Sequence, residues 1–224
     1  MSIGTNNQID DGVIIHPNVV IGNNNIIKTG TVIYPNTIIG DNNVFMEDNK
    51  IGTLPVEANK KYDDLSYNGL DIGDGNIFHV RNVISTGCYD RTRIGNDNKF
   101  LSDVFISHDN HIHNNVTFYP RVFSAGIVTY YSHASIGAGA CIHQRLKVGG
   151  YSMIGMNNTI VRNVLPFMIC INNRYSRLNL QKIDKDTATA LTNIERSLID
   201  DPSSVPSIND LPSNIQDIFN QILG

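Results

Sequence analysis

Residues 21–39 read Ile-Gly-Asn-Asn-Asn-Ile-Ile-Lys-Thr-Gly-Thr-Val-Ile-Tyr-Pro-Asn-Thr-Ile-Ile, with isoleucine at Ile21, Ile27, Ile33 and Ile39. The same spacing extends without a miss from Ile3, Ile9 and Ile15 to Phe45 and Ile51. A six-residue period fits neither the 3.6 residues of a helical turn nor the alternation of a plain strand, so it marks an internal repeat. Three places after these apolar stations stand Asn6, Gly12, Asn18, Asn24, Gly30, Asn36, Asn42 and Asp48. Glycine lacks a Cβ, and Asn and Asp tolerate the left-handed backbone region, so these are corner residues. Each hexad is one short strand and one corner, and the fold class is all-β.

The period resumes at Ile72, Phe78 and Ile84, then runs from Ile94 through Phe100, Ile106, Ile112 and Phe118 to Ile136, Ile142, Val148, Ile154 and Ile160. Ser124 and Tyr130 hold the register weakly. The stations number 24, which at three per triangular turn predicts eight coils. Such a prism stands about 38 Å tall at a strand spacing of about 4.8 Å.

Two breaks predict projecting loops, which on a solenoid often lie on the binding side. Ile51 and Ile72 are 21 residues apart where 18 would keep register, which predicts a major loop over 53–71. Ile84 and Ile94 are 10 apart instead of 6, which predicts a small loop at 88–93. After Pro166 the period fails. Leu180, Ile183, Leu191, Ile194 and Leu198 then recur at helical spacing, predicting an amphipathic helix over 178–198. Pro202, Ser203, Ser204 and Pro206 read as a linker, and Ile215, Ile218, Phe219 and Ile222 as a short final helix. The expected organisation is a β-helix over 1–165 and a helical cap over 166–224, because a solenoid end exposes apolar core and unpaired strand edges.

The repeat claims most of the 224 residues, leaving no room for a second enzyme domain. A net charge of −4 and the lack of a basic run argue against nucleic-acid binding. Cys88, Cys141 and Cys170 are odd in number and fit no close metal spacing, and no cleavable leader or membrane span is apparent, so a cytoplasmic location is expected.

Chemistry concentrates in Ile106-Ser107-His108-Asp109-Asn110-His111-Ile112-His113. Histidine moves protons near neutral pH. A side chain just before a corner is expected at the prism edge, where a neighbouring chain would enclose it, and there His108 suits a general base. One 18-residue turn further lies Gly126, and another turn on lies Gln144. The glycine lets substrate approach the backbone, and its N–H suits the oxyanion of an acyl-transfer intermediate. Asp109 reads first as a corner residue, with orientation of His108 left open. His111 and His113 are left unassigned.

Ile39-Gly40-Asp41-Asn42-Asn43-Val44, Ile94-Gly95-Asn96-Asp97-Asn98-Lys99 and Ile136-Gly137-Ala138-Gly139-Ala140-Cys141 resemble the hexapeptide-repeat transferases over about residues 3–165. That resemblance implies a left-handed coil, a homotrimer, and sites in clefts between subunits. Ser107-His108-Asp109, Ala125-Gly126 and Ile142-His143-Gln144 sharpen it to the UDP-N-acetylglucosamine acyltransferases of lipid A synthesis. The resemblance then implies His108 as catalytic base, Gly126 as oxyanion amide and His143 in the acyl-donor cleft. It also implies acceptor binding by the loop Tyr62-Asp63-Asp64-Leu65-Ser66-Tyr67-Asn68-Gly69, through Asp64 and Tyr67, with Gln144 beside them. Arg174 and Arg177 are candidate phosphate contacts for the donor.

Members of that family carry Lys where Ser66 stands and His where Phe105 and Ile127 stand. They also have a basic pair where this chain reads Leu180-Gln181-Lys182-Ile183-Asp184. From these departures we expect acyl transfer from acyl-CoA or acyl-carrier protein to a nucleotide-linked amino sugar in cell-surface polysaccharide or lipopolysaccharide synthesis, N-acylation being favoured. No further cofactor and no metal are implied. The alternatives are 3-O-acylation of UDP-N-acetylglucosamine, a zinc hydratase of the carbonic anhydrase type using His79, His108 and His113, and a non-catalytic platform.

Overall fold

The computed structural model describes residues 1–201 and 207–223. Twenty-four short strands, β1 (Ser2–Ile3) to β24 (Thr159–Ile160), wind into a left-handed parallel β-helix. Every third strand stacks on the next, giving three stacks of eight strands, one of which a terminal hairpin extends to ten. The stations of successive turns pair directly, as in Ile21 on Ile39, Ile27 on Phe45 and Ile33 on Ile51. The corners turn as their residue types demand: Asn6, Asn18, Asn24, Asn36, Asn42 and Asp48 have φ of 56° to 63°, and Gly12 and Gly30 are at 83° and 74°. Replacing Asn42 by alanine, which lacks the local hydrogen bonding that eases positive φ, should cost about 1 kcal/mol in chemical denaturation.

The inward stations fill the prism. Phe45, Phe78, Phe100 and Phe118 stack with centroids 4.7, 4.5 and 5.0 Å apart, and Tyr130 closes the column edge-on at 4.9 Å. The two weak stations compensate each other: the buried Tyr130 hydroxyl donates to Ser124 Oγ at 2.7 Å, which donates to Asn110 Oδ1 at 2.9 Å. A polar column runs beside the apolar one. Asn7, Asn25, Asn43, Asn76 and Asn98 are each joined to the next by a side-chain carbonyl accepting the following residue's amide at 2.8–2.9 Å. These bonds satisfy corner groups that would otherwise be buried unpaired.

The major loop stands between two consecutive stations. Strand β9 (Lys50–Thr53) leads straight to β10 (Leu70–Ile72), whose Ile72 pairs with Ile39, so Ile51 and Ile72 are consecutive stations. The loop therefore replaces one corner of a six-residue step, in keeping with the count of 24 stations. The smaller insertion lies between β12 (Val83–Ser85) and β13 (Thr92–Ile94).

Beyond the coil a hairpin of β25 (Met168–Ile171) and β26 (Arg174–Leu178) extends one sheet, β25 pairing with the Met153–Ile154 strand and β26 running antiparallel. Leu178, expected to open a helix, ends this hairpin. Helix α1 (Lys185–Asp200) starts where Asp184 accepts the Thr187 amide at 2.7 Å, and buries Leu191, Ile194 and Leu198. Helix α2 (Ser213–Leu223) buries Ile215, Phe219 and Ile222, with Phe219 against Phe167. The linker read at Pro202, Ser203, Ser204 and Pro206 lies outside the described residues. No described helix is long and apolar enough to cross a membrane.

Candidate functional site

His108 and Asp109 form the centre. Asp109 occupies a corner with φ 57°, which turns its carboxylate back toward the preceding ring. His108 Nδ1 lies 2.6 Å from Asp109 Oδ2. A carboxylate only accepts, so Nδ1 carries a hydrogen, and in the neutral imidazole the lone pair is left on Nε2. The other carboxylate oxygen, Oδ1, accepts amides from Cys88 and Tyr89 at 3.0 Å and Asp90 at 2.7 Å, while Thr92 Oγ1 receives the Asp109 amide at 2.9 Å. Burial acts to raise the Asp109 pKa. The bonds from His108, Asp90, Tyr89 and Cys88 outweigh it and hold the carboxyl below its usual value. Asp109 is thus both the expected corner and the hydrogen-bond partner of His108.

The imidazole is only 4 % exposed. This corrects the expectation of an open edge awaiting a neighbouring chain, because the chain's own two loops enclose the ring. Glu57, from the major loop, brings Oε2 to 3.6 Å from Nε2. Tyr89, from the small loop, donates its hydroxyl to that oxygen at 3.2 Å and sets its ring edge-on to His108. The loops are tied to each other: Cys88 carbonyl accepts from Asn68 Nδ2 at 2.7 Å and Lys60 Nζ at 3.2 Å.

Access remains through a cleft of about 540 Å³ lined by His108, Gly126, Gln144, Phe105, Phe123 and Glu57 among others. A Cβ on Gly126 would stand 2.5 Å from Cε1 and 2.6 Å from Nε2 of the ring, so only glycine admits the imidazole there. At another prism edge the amides of Asn23 and Asp41 are capped by Asp41 and Asp74 from the next turn. The Gly126 amide has no acceptor among the described residues. It can donate to something bound in the cleft. Ile127 beside it sits at φ 62°, which a β-branched residue rarely adopts, and its amide is fastened to the His108 carbonyl at 2.9 Å.

The other sequence candidates are scattered. His143 is exposed, its Nδ1 3.3 Å from the Gln144 carbonyl, and does not line the cleft. Asp64 is exposed in a single 3-10 turn, Tyr62–Asp64. Tyr67 stacks on Tyr34 at 6.2 Å, away from the cleft lining. Arg177 is exposed on β26, and Arg174 borders a separate groove of about 510 Å³. His111 Nε2 meets Arg93 Nη1 at 2.6 Å, and His113 stacks on Tyr131. Among the described residues no group of three His, Cys, Asp or Glu side chains could hold a metal, so His79, His108 and His113 are not a ligand set within the chain. Sequence reasoning assigned no role to Glu57 or Tyr89. Their only signal was position in the two insertions.

A model of the family described as bacterial transferase hexapeptide (six repeats) matches residues 1–35, and the same hexads continue through the whole coil. The chain belongs to the hexapeptide-repeat family. It is 38% identical over 174 residues to the acyl-[acyl-carrier-protein]–UDP-N-acetylglucosamine O-acyltransferase of Paraburkholderia phymatum, covering 75% of this chain and 66% of the relative. It is 31% identical over 135 residues to the enzyme of that name from Burkholderia orbicola, covering 57% of this chain and 51% of the relative. The chain thus spans between about half and two thirds of these two relatives. The solved UDP-N-acetylglucosamine acyltransferase of Campylobacter jejuni superposes with a TM-score of 0.85 at 24% identity, covering 99% of this chain and 91% of that one. That of Bacteroides fragilis gives 0.81 at 24%, covering 97% and 87%. Both likenesses extend to the fold.

Proposed function

We propose that this hexapeptide-repeat protein transfers an acyl group from an acyl-carrier-protein thioester to a UDP-linked amino sugar, with His108 as general base. The observation that carries the reading is the buried His108–Asp109 pair, whose free nitrogen borders a cleft shared with the uncapped Gly126 amide. The names of the relatives support the carrier-protein donor and a hydroxyl acceptor. They lend nothing to the preference for nitrogen drawn from the altered loop residues, and favour O-acylation of UDP-N-acetylglucosamine instead.

Nε2 takes the proton as the acceptor oxygen attacks the thioester carbonyl. The Gly126 N–H steadies the oxyanion, and the carbon–sulfur bond breaks as the imidazolium protonates the leaving thiolate. Asp109 fixes the tautomer throughout. Gln144 suits contact with the acceptor in the same cleft. His143, Asp64 and Tyr67, and Arg174 and Arg177 as donor contacts, would act only from a surface beyond it. Assembly as a homotrimer belongs to the same reading: Phe123, which lines the cleft, is 46 % exposed and suits cover by a second subunit.

Mass spectrometry of UDP-N-acetylglucosamine incubated with acyl-carrier-protein thioesters is the direct test. An ester product is expected, and its absence across short, long and 3-hydroxy acyl chains would sink the reading. Gly126→Ala should lower kcat about tenfold to a hundredfold in the same assay, because the methyl displaces the imidazole while the amide remains. An unchanged kcat would mean that the ring need not lie against Gly126.

A further inference from the structure

His108 has a carboxylate on each side. Asp109 Oδ2 lies 2.6 Å from Nδ1, and Glu57 Oε2 stands 3.6 Å from Nε2, both partners of the second contact being largely buried. The major loop aims the Glu57 carboxylate. Its Oε1 accepts from the Asn59 amide at 2.9 Å and from Asn59 Nδ2 at 3.0 Å, and its Oε2 accepts from the Tyr89 hydroxyl at 3.2 Å. The Asn59 amide, opposed by burial and helped by Tyr89, holds the Glu57 carboxyl below its usual pKa. Lys60 of the same loop is engaged elsewhere, by the Cys88 carbonyl and over the Tyr89 ring. Among the described residues His108 is the one basic group within ion-pair range of Glu57.

While the imidazole is neutral this contact is a poor one. Nε2 and the carboxylate both only accept, so no hydrogen joins them. Once Nε2 takes a proton, the same contact becomes an attraction between opposite charges held out of bulk water. The interaction thus strengthens as the barrier is climbed, which is the condition for lowering it. We infer that Glu57 is a second carboxylate of the transfer, stabilising the imidazolium that His108 becomes as the acceptor hydroxyl attacks. This rests on His108 being the base of the proposed transfer.

The proton leaves the acceptor hydroxyl for Nε2 as the new carbon–oxygen bond forms. The carbon–sulfur bond then breaks, and Nε2 gives the proton to the thiolate. The products are an ester and the carrier-protein thiol. Glu57 neither gains nor loses a proton. It acts through the ring as a positioning residue, and it differs from Asp109, whose bond to Nδ1 is already made before any proton moves.

Because Glu57 works through His108, its effect must vanish when the imidazole does. The experiment measures kcat and KM for ester formation from UDP-N-acetylglucosamine and one acyl-carrier-protein thioester, with circular dichroism as the check on folding. It compares the wild type, Glu57→Gln, Glu57→Asp, His108→Ala and the double variant Glu57→Gln/His108→Ala. Glutamine keeps a carbonyl for Asn59 and removes the charge. Its kcat is expected to fall about 10- to 100-fold, the usual worth of a hydrogen bond to a charged group. KM should stay within about twofold, since the neutral ring gains nothing from the contact. Glu57→Asp should recover part of the loss, and Glu57→Gln should cost nothing further once His108 is alanine. An unchanged kcat, a loss confined to KM, or the same fold loss with and without His108 overturns the inference and leaves acyl transfer standing. If the wild type forms no ester, or if His108→Ala retains the full rate, the underlying function falls with it.

Discussion

Replacing His108 by alanine is expected to lower the rate of acyl transfer by about 100- to 10,000-fold, the usual contribution of a positioned acid–base group. The coil should be unaffected. The ring belongs to neither the apolar column nor the asparagine column, and it packs against Gly126 and the two loops. Single-turnover acylation, with circular dichroism as the check on folding, separates the two effects. A variant that folds and turns over at the wild-type rate would remove His108 from the chemistry.

The second large effect is expected at Asp109. Asparagine can still accept the amides of Cys88, Tyr89 and Asp90 through its carbonyl, but its amide group would then face Nδ1. Two donors cannot meet there, so the imidazole must take the opposite tautomer and place its hydrogen on Nε2. A base in the wrong tautomer is no base. The corresponding change in a serine-protease triad costs about 10,000-fold, and a loss of at least about 100-fold is expected here. The same residue predicts an acid dependence of stability. Its folded pKa is depressed, so its contribution is complete above the unfolded carboxylate value of about 4 and is lost as pH falls through the lower folded value. Asp109→Asn should flatten that part of the acid limb in a thermal-melting series. An identical limb would show that the contacts of Asp109 do not favour its charged form.

The coil was legible because its two constraints are local and repeated. An apolar station at every sixth residue and a left-handed corner three places later together specify strand, turn and stacking, and the backbone follows them from Ile3 to Ile160. The placement of Gly126 against His108 was legible for the same reason, since an 18-residue turn is enough to stack one on the other. Legibility ended where the chain left the period. Leu178 carries the right apolar character for either a helix or the hairpin strand it occupies, and only pairing with Met168 decides between them. Glu57 reaches the imidazole through a loop path that no spacing encodes. Asp109 was half read: the residue type announced the corner, but the amides that fix its carboxylate come from a neighbouring insertion.

The asparagine column bridges both insertions without a missing rung. Asn25 and Asn43 are 18 residues apart, Asn43 and Asn76 33, and Asn76 and Asn98 22, yet all three steps are made by the same amide contact. The scaffold therefore does not register how much chain passes between its rungs. The loops that enclose His108 can therefore change length while the frame beneath them stays fixed, which makes this molecule a chassis onto which new loops can be grafted.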